Sequence, residues 1–117
     1  MTTPLSLIVV YATDLDASLR FYRACGITFH EKRDGSGPLH YVASLPTGLV
    51  FELYPAGTRP PTRVRLRFTV PDSSPVLQAL SAAGSPAASG PCDLDYGRVR
   101  VVRDPDGNSV ELVEPLS

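Results

Sequence analysis

Apolar positions at the start of the chain form a run, then change to helical spacing. Residues 6–12, SLIVVYA, are rich in β-branched side chains and read as a strand. From there Leu15, Leu19, Tyr22 and Cys25 fall on one face of a helix, with Thr13 or Asp14 as its N-cap and Gly26 as its stop. Turn signals at 34–37 (DGSG) and 46–48 (PTG) then divide the following stretch into short strands.

The same order recurs further on. LIVVYATDLDASLRFYRACG (7–26) aligns with RLRFTVPDSSPVLQALSAAG (65–84), which sets Asp14 on Asp72, Leu19 on Leu77, Ala24 on Ala82 and Gly26 on Gly84. FEL (51–53) falls on VEL (110–112) after one inserted residue. Residues 63–70 alternate arginine with Val64, Leu66 and Phe68, the pattern of a half-buried strand. Ser73 or Ser74 is the expected cap of the second helix, Pro75 its first residue and Gly84 its end. DPDG (104–107) makes the last turn, and PAGTRPPT (55–62) is a stiff, polar connector. The expectation is an α+β fold of two tandem βαβββ modules in a single domain. Module 1 spans about 5–55, the linker about 56–62 and module 2 about 63–115.

Composition narrows the classes. A chain of 117 residues, 43% hydrophobic and 20% charged, suits one small globular domain. A net charge of -1 gives no footprint for nucleic acid or for an anionic membrane. The apolar run Leu7 to Ala12 is too short to span a bilayer and follows no basic segment. Cys25 and Cys92 fit no metal-binding spacing, and without a secretory signal they read as reduced thiols in the cytoplasm.

The DLDASLRFY stretch (14–22), the glycine that stops its helix, and DPDGNSVEL (104–112) resemble the vicinal oxygen chelate superfamily. That superfamily includes glyoxalase I, extradiol dioxygenases, fosfomycin-resistance transferases and bleomycin-resistance proteins. The likeness covers nearly the whole chain and says little about which member it is. It implies cupped mixed sheets with the helices on the outside. It also implies a cavity enclosed by two modules, often across a homodimer interface.

Strand parity then sorts the side chains, because neighbours in a strand face opposite ways. Val64, Leu66, Phe68 and Val70 are needed to cover the second helix, so Arg63, Arg65, Arg67 and Thr69 face the cup. By the repeat, Leu7, Val9 and Tyr11 face it too, as do Val50, Glu52 and Tyr54, and Ser109, Glu111 and Val113. Metal-dependent members of the superfamily hold a divalent ion with four ligands, typically His and Glu from each module. The resemblance carries those positions onto Leu7, Glu52, Arg65 and Glu111. Leucine cannot ligate and a guanidinium is a fixed cation, so this departure disfavours a metal cofactor. Arg65 is then the expected counter-charge for one or both glutamates, unless Glu52 and Arg65 are only a solvated pair at the sheet margin. If a metal is held, its ligands would be Glu52, Glu111 and His40.

The remaining candidates carry less. His40 is a general acid, a substitute ligand or a packing residue, on a strand whose parity the pattern leaves open. His30 reads as solvent-facing, and Cys25 as a small hydrophobe on the buried stripe. Cys92 reads as exposed, with no activating neighbour. Tyr11, Tyr54 and Tyr96 stack on a ligand or pack. Three functional readings follow. The first is a metal-free small-molecule binding protein whose ligand-binding residues are Leu7, Val9, Tyr11, Val50, Glu52, Tyr54, Arg65, Arg67 and Glu111. Its apolar wall and arginine stripe suit a ligand with aromatic and anionic parts. The second is a metal-dependent lyase, isomerase or dioxygenase built on Glu52 and Glu111. The third is a structural or regulatory dimer with a vestigial pocket.

Overall fold

The computed structural model describes residues 1–116. Strand β1 (Leu7–Ala12) leads through helix α1 (Leu15–Ala24) to β2 (His30–Lys32), β3 (His40–Ser44) and β4 (Val50–Pro55). The order then repeats as β5 (Leu66–Thr69), α2 (Ser73–Ala82), β6 (Ser89–Leu94), β7 (Gly97–Arg103) and β8 (Ser109–Pro115). The strands form two four-stranded sheets, ordered β1-β4-β3-β2 and β5-β8-β7-β6. In each, the first strand runs parallel to the last and the other pairings are antiparallel. This is the expected α+β pair of βαβββ modules. Among the described residues no helix is long and apolar enough to cross a membrane.

Local chemistry explains the helix boundaries. Asp14 has extended backbone, and its carboxylate accepts from the Ala17 N–H at 3.0 Å, satisfying a donor that the first turn leaves free. The second cap is Asp72 rather than Ser73 or Ser74: its carboxylate accepts from Ser74 N–H at 2.9 Å. Ser73 N–H donates instead to Glu114 Oε2 at 2.7 Å, and Pro75 becomes the third helical residue. Strand β5 starts at Leu66, later than the alternation from residue 63 suggests. The preceding chain is diverted, because Val64 N–H donates to the Asn108 side chain at 2.8 Å.

The helix-facing sides of both sheets share one core. Val10, Phe51 and Leu53 from the first sheet and Val102, Val110 and Leu112 from the second belong to a single cluster with Phe21, Tyr22 and Leu80. Rings cross the module boundary: Phe68 of β5 lies 6.4 Å from Tyr22 and 6.3 Å from Phe51, centroid to centroid. Each fully buried side chain of this core contributes roughly 1.5–3 kcal/mol.

Polar contacts join the same boundary. Asp104 Oδ1 accepts from the Asp106 and Asn108 N–H groups at 3.0 and 2.8 Å, which closes the DPDG turn. Asn108 Nδ2 donates to the Thr62 carbonyl at 3.0 Å, and Thr13 N–H reaches Asp106 Oδ2 at 3.1 Å. Thr62 also takes the Tyr11 N–H on its hydroxyl at 2.8 Å and donates its own N–H to the Tyr11 carbonyl at 2.9 Å. The connector is therefore pinned at its end, with Ala56 buried at its start.

Candidate functional site

The face of each sheet away from its helix carries the residues singled out by parity. On module 1, Leu7 stands opposite Val50, Val9 opposite Glu52 and Tyr11 opposite Tyr54. Leu7 is 47% exposed and the other five are half-buried. On module 2, Arg67 stands directly opposite Glu111 across the β5–β8 pair, and Arg65 lies two residues before it on the same face.

Glu111 is the centre of the second face. Its side chain is 6% exposed, and each carboxylate oxygen is taken. Arg67 Nε donates to Oε1 at 2.7 Å, while Arg65 donates to Oε2 through Nε at 2.8 Å and through Nη2. Arg67 Nη2 goes on to the Tyr96 hydroxyl at 2.8 Å, and its guanidinium carbon lies 4.5 Å from the Tyr96 ring centroid. Hydrogen bonds from Arg67, then Arg65, outweigh burial and hold the Glu111 carboxyl below its usual range. The glutamate is therefore charged at neutral pH.

Glu52 has a different setting. It faces Val9 on one side and Val42 on the other, and among the described residues it joins no ion pair. Arg65 thus serves one glutamate, and it shares that glutamate with Arg67.

The open parity of His40 is settled. Its pairing places it on the Glu52 face, where it is 1% exposed and stacked on Tyr54 with ring centroids 4.1 Å apart. Nδ1 lies 3.0 Å from the Pro38 carbonyl, which can only accept, so Nδ1 carries the proton. In the neutral ring Nε2 then accepts from the Tyr54 hydroxyl at 3.2 Å. Burial, then the charges of Glu52 and Asp34, raise the Tyr54 hydroxyl pKa. His30 is exposed on β2, and Cys92 is exposed on β6 opposite Val99. Cys25 is buried, and that burial pushes its thiol up to about 12.

A large cavity lies between the modules, along the free edge of β5. It is a half-open, mostly apolar cleft of about 830 Å³. Its lining includes Ile8, Leu49 and Phe51 from module 1 and Val64, Leu66 and Phe68 from module 2. Of the residues expected to bind ligand, Arg65 and Arg67 line it; Leu7, Val9, Tyr11, Val50, Glu52, Tyr54 and Glu111 do not. Parity assigned Val64, Leu66 and Phe68 to the core under α2. They remain half-buried because β5 ends its sheet, so their outer sides open on this cleft. The cleft arises from how two modules dock, and no local motif marks it.

The profile of the Glyoxalase/Bleomycin resistance protein/Dioxygenase superfamily matches residues 5–112. The chain belongs to that superfamily. A comparison with curated proteins gives no significant match. Among solved structures, TnmS3, an antibiotic binding protein from Streptomyces sp. CB03234, superposes with a TM-score of 0.76 at 21% identity, covering 98% of each chain. Oxidase ChaP-H1 gives 0.76 at 24% identity, again over 98% of each chain. The lactoylglutathione lyase of Agrobacterium tumefaciens gives 0.64 at 19% identity, over 96% of this chain and 93% of that one. A binding protein, an oxidase and a lyase on one scaffold show that the fold leaves the function to its site.

The positions that the resemblance marks as metal ligands have other surroundings here. Both oxygens of Glu111 are committed to guanidinium groups, and Leu7 offers no ligand atom. Among the described residues, no three or more His, Cys, Asp or Glu side chains are grouped to hold an ion.

Proposed function

We propose that this protein of the glyoxalase/bleomycin-resistance superfamily binds a small organic molecule between its two modules, without a divalent metal. One observation carries the metal-free part of the reading: the acid that matches a superfamily ligand position has two arginines in place of an ion. A fixed cation beside that carboxylate both uses its lone pairs and repels a second cation.

The cleft along β5 supports the binding part. Its size suits a drug-sized ligand, and its wall is mostly apolar, with Arg65 and Arg67 among the residues that line it. TnmS3, which shares the fold, is an antibiotic binding protein. The face carrying Leu7, Val9, Tyr11, Val50, Glu52 and Tyr54 is left partly open by the single chain, so a second copy closing over it is part of the proposal. An exposed free thiol at Cys92 suits the reducing cytoplasm.

Metal analysis of protein purified without chelators is the test, together with amide NMR mapping of apolar fragments. The reading expects sub-stoichiometric metal and shifts at Leu49, Leu66 and Phe68. One equivalent of a divalent ion per chain would overturn the metal-free part. Shifts that avoid the cleft altogether would overturn the binding position.

A further inference from the structure

We infer that the ligand is an organic oxyanion, a carboxylate or phosphate on an apolar body, whose charged end is received by Arg65 and Arg67. This deepens the binding reading and rests on it. Two guanidinium groups meet a single carboxylate at Glu111, so the cluster keeps a surplus positive charge. The surplus is accessible: the Arg65 and Arg67 side chains are 70% and 47% exposed, whereas Glu111 is shielded.

The geometry leaves donors to spare. Nε and Nη2 of both arginines are used, on Glu111 and on Tyr96, while Nη1 of each makes no hydrogen bond among the described residues. The carboxylate and the Tyr96 ring thus hold two flexible side chains in place before any ligand arrives. Ordering them in advance removes much of the entropy cost that binding would otherwise carry. Guanidinium groups with unused donors suit carboxylate and phosphate alike, and suit a cation not at all.

The apolar part of the ligand follows from the cleft. Arg65 and Arg67 contribute to the wall of the cleft beside Leu49, Leu66 and Phe68, while their guanidinium groups stand on the Glu111 face of the same edge strand. An apolar body in the cleft would therefore meet both cations with an anionic group that reaches past the free edge of β5. A bare inorganic anion would leave that wall unused.

The experiment compares 1-naphthoate, 1-naphthyl phosphate, neutral 1-naphthalenemethanol and inorganic phosphate by calorimetry and amide NMR on the intact chain. At least one of the two naphthyl anions should bind about tenfold or more tightly than the alcohol, as expected for charge-assisted hydrogen bonds. The advantage should shrink as salt is raised. Arg65→Gln and Arg67→Gln should each lower the affinity for the anion by a larger factor than the affinity for the alcohol. If the alcohol binds the cleft as tightly as both anions, the anionic assignment fails and the cleft survives. If inorganic phosphate matches naphthyl phosphate, the organic body is wrong. If none of the four shifts a cleft residue, the cleft itself is not the site. The comparison of compounds on the parent protein stands even where a variant folds poorly.

Discussion

Tyr22, in the helix of module 1, donates its hydroxyl hydrogen to Asp104 Oδ2, in the last turn of module 2, at 2.7 Å. Both side chains are buried, and the tyrosine meets Phe51 and Phe68 edge-on from the same position. One residue therefore joins the modules by packing and by a hydrogen bond to a charged acceptor. Burial and the Asp104 charge drive the hydroxyl pKa far up, so it stays a donor across the working pH range. Tyr22→Phe should keep the packing and lower stability by roughly 1–3 kcal/mol, the cost of leaving a buried acceptor short of a partner. Urea unfolding measures it, and an unchanged midpoint would show that Asn108 alone satisfies Asp104.

Gly107 closes the same turn with φ +86°, and a Cβ placed there would meet nothing within 4 Å. The cost of a substitution is thus confined to the backbone. Gly107→Val should destabilise by roughly 1–3 kcal/mol, and Gly107→Asn by distinctly less, since asparagine tolerates the left-handed region. Equal melting temperatures for the two variants would contradict this account of the turn.

The ion cluster predicts a pH signature. Folding lowers the Glu111 pKa, so the charged carboxylate stabilises the fold above the usual carboxylate range. That contribution is lost as pH falls through the lowered value. Arg67→Gln should therefore melt a few degrees below the parent at pH 7, and the gap should close as pH drops below about 4. A gap that stays constant with pH would mean that the arginine acts through packing on Tyr96 and not through the acid.

The two thiols should separate cleanly. Cys92 is exposed, whereas Cys25 is buried with its pKa pushed up to about 12. Native protein should react with a thiol reagent at one site per chain at pH 8, and unfolded protein at two. Rapid labelling of both in the native state would mean that the α1 end opens readily.

Strand parity was legible because it is a local rule, and it placed Arg65, Arg67 and Glu111 on one face. Parity cannot say which sheets meet, so the sequence reading joined Glu52 to a cluster that stands on the other sheet. His40 was illegible for a related reason: only its strand partners assign it a face. The cap on α2 was missed because Asp72 and the two serines after it are all good caps, and Glu114 from a distant strand decides among them. The sequence marks DPDG (104–107) as the last turn. Its larger part, holding Thr62, Val64, Thr13 and Tyr22, depends on contacts that no stretch of sequence contains.

The position of β8 has a consequence for the order in which the protein can assemble. Of the eight strands described it leaves the ribosome last, yet it lies between β5 and β7 and follows the turn that grips module 1. Module 1 can pair all four of its strands once residue 55 has emerged. A nascent chain that has reached only Arg103 can pair β6 with β7, while β5 has no strand beside it and the Asp104 anchor for Tyr22 is missing.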